Sequence, residues 1–205
     1  MTKLFGVFGK KSPAQTPIII VSGLPRSGTS MMMKILAEGG LPVITDELRR
    51  ADTDNPDGYY ELETVKQLSL GNADWLSNAD GKVVKVISAL LEYLPAHYEY
   101  KVIFMERELR EILASQSKML RRRKEDSKID DAEMEAQFRR HLSAVKPWLA
   151  RQPNIDVLYI SYNALMNDPE PLCRRVVEFT RAPLNIARML AVPNAELYRN
   201  RAAGL

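Results

Sequence analysis

The chain has 205 residues, 45% of them apolar, with 29 Lys or Arg against 26 Asp or Glu and a formal net charge of +3. That length and apolar content suit one sizeable core and are short for two, so a single domain is expected. The charge is too slight to point to nucleic acid, the lone Cys173 excludes an intrachain disulfide, and no N-terminal apolar stretch has the length of a signal region or membrane span. A reducing, cytoplasmic setting with no transmembrane segment is the expectation that follows.

Residues 1 to 16 read as a flexible tail, although Leu4, Phe5, Val7 and Phe8 among Lys3, Lys10 and Lys11 would also make a short amphipathic patch for a membrane surface or partner. The β-branched run Ile18 to Val21 then reads as a strand, and it opens into the Gly-rich stretch Gly23 to Ser30. A helical pattern runs from Thr29 to Glu38, where Gly39-Gly40 stops it. Leu41 to Ile44 reads as a second short strand. Thr45 to Tyr60 is polar and turn-rich, with Asn55-Pro56-Asp57-Gly58 as its strongest turn signal, and it is expected to be the substrate-side loop.

Three further strands are expected at Lys82 to Ile87, Lys101 to Glu106 and Asp156 to Ile160, separated by helical segments. Glu108 to Lys124 carries Leu109, Ile112, Leu113 and Leu120 at helical spacing, and Asp131 to Leu149 carries Met134, Phe138, Leu142, Val145 and Leu149. Pro169 and Pro171 open a last long helix with Leu172, Val176 and Phe179 on one stripe. Strands alternating with helices predict an α/β fold, a parallel sheet flanked by helices on both faces, within one domain over residues 17 to 205.

The most informative stretch is the loop. Gly23 and Gly28 let the backbone turn tightly, so that consecutive N–H groups point at an anion while the positive pole of the following helix adds its field. The spacing Gly23-x-x-x-x-Gly28 matches the first half of the Walker A pattern, but Thr29 stands where its Lys should follow, and the basic residue is Arg26 inside the loop. A simple strand-to-helix turn is the competing reading. In open α/β sheets ligands bind beyond the carboxyl ends of the strands, and four places meet that condition: the loop, Lys85, Arg107, and Ser161-Tyr162. Arg107 leads into a helix whose second turn presents Ser115, and a guanidinium with a hydroxyl there suits a second phosphate.

The loop Pro25-Arg26-Ser27-Gly28-Thr29-Ser30 resembles that of the sulfotransferases, which grip the 5′-phosphate of 3′-phosphoadenosine 5′-phosphosulfate (PAPS) and use no metal. Arg107 and Ser115 keep the spacing of the Arg and Ser with which that family binds the 3′-phosphate. Asn55-Pro56-Asp57-Gly58-Tyr59-Tyr60-Glu61 resembles a segment of the bacterial members, as do Ile112 to Leu120 and Leu197-Tyr198-Arg199, so the resemblance spans roughly residues 17 to 201. Glu108 stands where many relatives have Asp or Asn, Val86-Ile87-Ser88 where they often have Asp-Pro-Arg, and the Arg-Lys-Gly element of the animal cytosolic enzymes is missing.

The resemblance implies sulfuryl transfer from PAPS, leaving 3′,5′-bisphosphoadenosine (PAP), to a hydroxyl or amine on a small-molecule or carbohydrate acceptor. Such transfer needs positive charge on the leaving phosphate, for which Arg26 and Lys85 are the candidates, and a proton acceptor. His97 precedes its strand and belongs at the wrong edge of the sheet, while His141 beside Leu142 suits a core or interface role. Glu61 is therefore the candidate base, with Glu63 behind it, each also readable as a carboxylate favouring the start of the helical segment through Leu70. Arg49, Arg50, Tyr59 and Tyr60 suit a sugar, a phenol or a charged metabolite alike. A small-molecule kinase and a non-catalytic nucleotide-binding module stay open as alternatives. The kinase is the weaker fit, since it should keep the Walker Lys and a strand-end Asp for magnesium where this chain has Glu106-Arg107.

Overall fold

The computed structural model describes residues 16–46, 58, 60–123 and 129–193. The expected tail apart from Thr16, together with Arg49 and Arg50, the Asn55-Pro56-Asp57 turn, Tyr59, Lys124 and Leu197-Tyr198-Arg199, lies outside those residues.

Four parallel strands form one sheet in the order β2-β1-β3-β4: β1 (Ile18–Gly23), β2 (Val83–Lys85), β3 (Tyr100–Glu106) and β4 (Ile155–Ser161). All six residues of β1 are buried, as expected of a central strand covered on both faces. Period-two alternation sorts the strands onto two cores. Ile19, Val21, Val83, Ile103, Met105 and Ile160 pack with α1 (Thr29–Gly39), α5 (Pro169–Thr180) and α6 (Ile186–Leu190), through Met32, Leu36, Val176 and Met189. Ile18, Ile20, Val84, Val102 and Phe104 face Val145 and Leu149 of α3 (Asp131–Leu149) and the 3-10 helices Glu63–Leu70, Asp74–Asn78 and Ser88–Tyr93. The predicted α/β fold is thus the observed one.

Local chemistry explains the boundaries. Gly40, at φ +100°, ends α1 by returning its N–H to the carbonyls of Leu36 and Ala37. Asp130 caps α3 by accepting from the N–H of Glu133, and Pro169 starts α5 where its missing N–H costs nothing. Lys101, buried at the start of β3, donates to the carbonyl of Phe179 at 2.6 Å and lies 5.7 Å from the centre of its ring, so a cation sits on the last turn of α5.

Two expectations need correction. Leu41 to Ile44 is no strand: a single bridge joins Val43 to Val83, because Pro42 has no N–H for a ladder and the neighbouring β2 is only three residues long. The strand expected over Lys82 to Ile87 shortens to Val83–Lys85, since a turn closes on Lys82, whose N–H bonds Ala79, and Ile87 caps a 3-10 helix. Val86 still donates to the carbonyl of Val21 at 3.1 Å, so the strand direction persists past Lys85. Among the described residues no helix is long and apolar enough to cross a membrane.

Ile20 is fully buried and pairs with β2 and β3. Ile20→Ala should therefore lower stability by about 2–5 kcal/mol in urea melts, whereas Leu70→Ser, at 83% exposure, should stay within about 0.5 kcal/mol. Similar losses for the two would mean that this face of β1 is not the core.

Candidate active site

The loop after β1 is wedged between two neighbours. At Gly23, φ +147°, an added Cβ would stand 2.6 Å from the Met105 carbonyl of β3 and from Ser27 Oγ. Gly28, φ +97°, is the N-cap of α1, and a Cβ there would stand 2.4 Å from the ring of Tyr162, the first residue of α4 (Tyr162–Asn167). Glycine is needed at both positions for space as well as for backbone angle. Arg26 between them takes φ +66°, a left-handed conformation uncommon for any residue but glycine and typical of strained functional loops. No side chain caps α1, and Ser27 Oγ is buried without a hydrogen-bond partner, a polar group that a bound anion would satisfy. Pro25 is exposed, while Thr29 and Ser30, in the first turn of α1, are half-buried.

The expected second phosphate grip adjoins this loop. Arg26 Nε donates to Ser115 Oγ at 3.0 Å, and an Arg107 terminal nitrogen donates to the Arg26 carbonyl at 3.2 Å. Ser115 lies on α2 (Leu109–Arg123) and is 5% exposed. Arg107 itself is clamped. Its Nε donates to Glu111 at 2.8 Å, and its guanidinium lies 4.2 Å from the centre of the Tyr162 ring. Glu111 is fully buried, and its other oxygen accepts from Asn163 Nδ2 at 3.0 Å. An open hollow of about 340 Å³ is lined by Arg107, Arg110, Arg139, Ser161 and Asn163.

Lys85, the last residue of β2, reaches the other side of the loop. Its Nζ stands 3.4 Å from Ser30 Oγ and 3.4 Å from Glu61 Oε1. Glu61 is thus drawn to the loop, with its side chain 27% exposed. Its backbone is pinned, because its carbonyl accepts from the Thr45 hydroxyl at 2.9 Å and from the Asp46 N–H at 3.2 Å. The preceding residue, Tyr60, takes φ +48°, so the chain kinks where it delivers Glu61. Glu63 points elsewhere, forming an exposed ion pair with Lys66 at 2.8 Å.

Arg26, Ser30, Lys85, Glu61, Arg107 and Ser115 thus meet at the carboxyl end of the sheet. His97 lies before β3, at the amino end. His141 is bonded to Ser88 at 2.8 Å, and burial holds its pKa below the usual histidine range although Glu92 opposes the shift. Sequence reading missed Glu111 and Asn163. Glu111 carried a signal, since its i,i+4 spacing from Arg107 is that of a helical ion pair. Asn163 carried none, being 52 residues from its partner.

A family model described as the sulfotransferase domain matches residues 16–196. No curated protein sequence matches the chain. Among solved structures the fold is similar to mouse sulfotransferase SULT7A1 complexed with PAP, with 17% identity, TM-score 0.58, and 92% of this chain covering 68% of that one. Sulfotransferase STF1 from Mycobacterium tuberculosis gives 18% identity and TM-score 0.58, over 94% of this chain and 78% of that one. A sulfotransferase from Alicyclobacillus acidocaldarius gives 16% identity and TM-score 0.50, over 91% and 98%.

Two glycines with positive φ separate backbone strain from crowding. Gly40 has nothing within 4 Å of an added Cβ, so Gly40→Ala should lose only the left-handed backbone cost, about 1–2 kcal/mol. Gly28→Ala should add about 1–3 kcal/mol of overpacking against Tyr162. Equal losses in denaturant melts would show that the ring turns aside freely and that the loop is not wedged.

Proposed function

The chain belongs to the sulfotransferase family, and from that premise we propose that it transfers a sulfuryl group from PAPS to a hydroxyl or amine of a small-molecule or carbohydrate acceptor, without a metal. The observation that carries this reading is the fusion of the two anion sites: Arg26 of the loop bonds Ser115, while Arg107 bonds the Arg26 backbone. Two basic grips this close suit a nucleotide phosphorylated at both the 5′ and 3′ positions. That the similar mouse protein was solved with PAP accords with the same donor.

In this mechanism the loop amides, with Ser27, Thr29 and Ser30, hold the 5′-phosphate at the positive pole of α1. Arg107 and Ser115 hold the 3′-phosphate. Ser115 then has two claimants, and its engagement by phosphate releases the Arg26 guanidinium toward the 5′ side. Arg26 and Lys85 stabilise negative charge on the phosphate oxygen as its bond to sulfur breaks. Glu61 accepts the proton of the acceptor oxygen as the new S–O bond forms. Lys85 spans the distance from Ser30 to Glu61, so one ammonium serves the leaving group and orients the base.

Thermal melts give the first test. PAP without magnesium should stabilise the protein by about 2.7 kcal/mol at a hundredfold excess over its dissociation constant, and by more than ADP does at the same concentration. An equal or larger shift with magnesium-ATP would instead favour a kinase.

Glu61→Gln keeps the shape of the side chain and removes its basicity. Donor affinity should persist while turnover falls by about 10²–10⁴-fold. Normal turnover in this variant would leave Glu61 as a partner of Lys85 only.

A further inference from the structure

Arg107 depends on two consecutive residues of α4. The ring of Tyr162 supports the flat of its guanidinium, and Asn163 acts one residue further on, through Glu111. A carboxylate turns readily about its last side-chain bond unless both oxygens are held. Arg107 Nε holds one oxygen of Glu111 at 2.8 Å and Asn163 Nδ2 holds the other at 3.0 Å, so the plane of the buried carboxylate is set. The amide is itself oriented, since Asn163 Oδ1 accepts from the N–H of Glu108 at 3.4 Å, which turns Nδ2 toward Glu111. A chain of hydrogen bonds therefore runs from the start of α2 through Asn163, Glu111 and Arg107 to the backbone of the loop.

We propose that Asn163 is a positioning residue for discrimination of the second phosphate: by fixing Glu111 it aims the donor fork of Arg107, and so sets how strongly a 3′-phosphate is preferred over none. This rests on the PAPS reading above. Charge sharpens the requirement. Arg107 and Glu111 are 8% and 0% exposed in their side chains and cancel as a pair, so what Arg107 offers a phosphate depends on orientation more than on net charge. The amide provides a donor for Glu111 and an acceptor for the Glu108 N–H at once. An Asp there would set a second carboxylate against Glu111 and compete for the guanidinium.

The test compares dissociation constants of PAP and adenosine 5′-phosphate by calorimetry for the wild type, Asn163→Asp and Asn163→Ala, with melting temperatures recorded separately. The preference for PAP should shrink about tenfold or more in Asn163→Asp and severalfold in Asn163→Ala, with the affinity for adenosine 5′-phosphate kept within about twofold. Arg107→Ala sets the scale of complete loss. A merely structural role would lower the melting temperature or weaken both ligands together, leaving their ratio intact. If both variants fold and keep the wild-type ratio, the proposal is overturned while the donor reading stands. A wild type without preference for PAP overturns the donor reading and the proposal with it. Asn163→Ala adds no charge, so it decides the matter should the Asp variant fail to fold.

Discussion

The ion pair of Arg107 with Glu111 is the interaction on which the site depends. Glu111 is wholly removed from water, so its charge is tolerable only because a guanidinium and an amide meet it. Removing either charge would leave the other buried and uncompensated, which is far more destabilising than the pair is stabilising. Four pieces of chain converge there: the end of β3, the first turns of α2, the start of α4, and the loop after β1 through the Arg26 carbonyl. A left-handed Arg26 is costly by itself, and the bond from Arg107 to its carbonyl is part of what holds the backbone there.

The sheet explains why these pieces meet. All four strands run the same way, so their carboxyl ends open on one edge, where every connection begins. β1 brings the loop, β2 brings Lys85 on one flank, and β3 brings Arg107 on the other. The strand order β2-β1-β3 thus becomes an order of side chains along the edge: Lys85 with Glu61, then the loop, then Arg107. The bridge of Val43 to Val83 and the bonds from Thr45 and Asp46 to the Glu61 carbonyl carry that order one step past the edge strand.

Much of this was legible in the sequence, for reasons that also mark where legibility ends. Ile18 to Val21, the two loop glycines and the helix after them are local features, each fixed by residue type and spacing, and they stand where expected. The apolar stripes of α2, α3 and α5 were likewise readable because burial imposes a period on neighbouring residues. Leu41 to Ile44 misled because apolar content outweighed the missing N–H of Pro42. Of the 3-10 helices only the segment through Leu70 left a trace, since short tight turns repeat too few times to build a period. In the candidate site, Arg26 was read from the loop pattern, Lys85 and Arg107 from their places at strand ends, and Ser115 from its place in the second turn of the helix after Arg107. Glu111 and Asn163 were missed because their importance lies in contacts with residues distant in sequence or hidden within a helix that reads as ordinary.

Lys101 and Arg107 have a joint consequence for β3. They lie six residues apart, an even interval, so the pleat sends both to the face that holds α5 and Tyr162. One engages the final turn of a helix at the amino edge of the sheet, and the other engages a carboxylate and a ring at the carboxyl edge. If β3 slid by a single residue against its neighbours, both cations would swing to the opposite core, among Ile18, Ile20 and Phe104, where apolar side chains could not receive them. The strand is therefore indexed by two charged pegs as well as by its hydrophobic side chains. Misregistered pairing is penalised at both ends simultaneously, and the alignment that buries the core is also the one that brings Arg107 to the loop after β1.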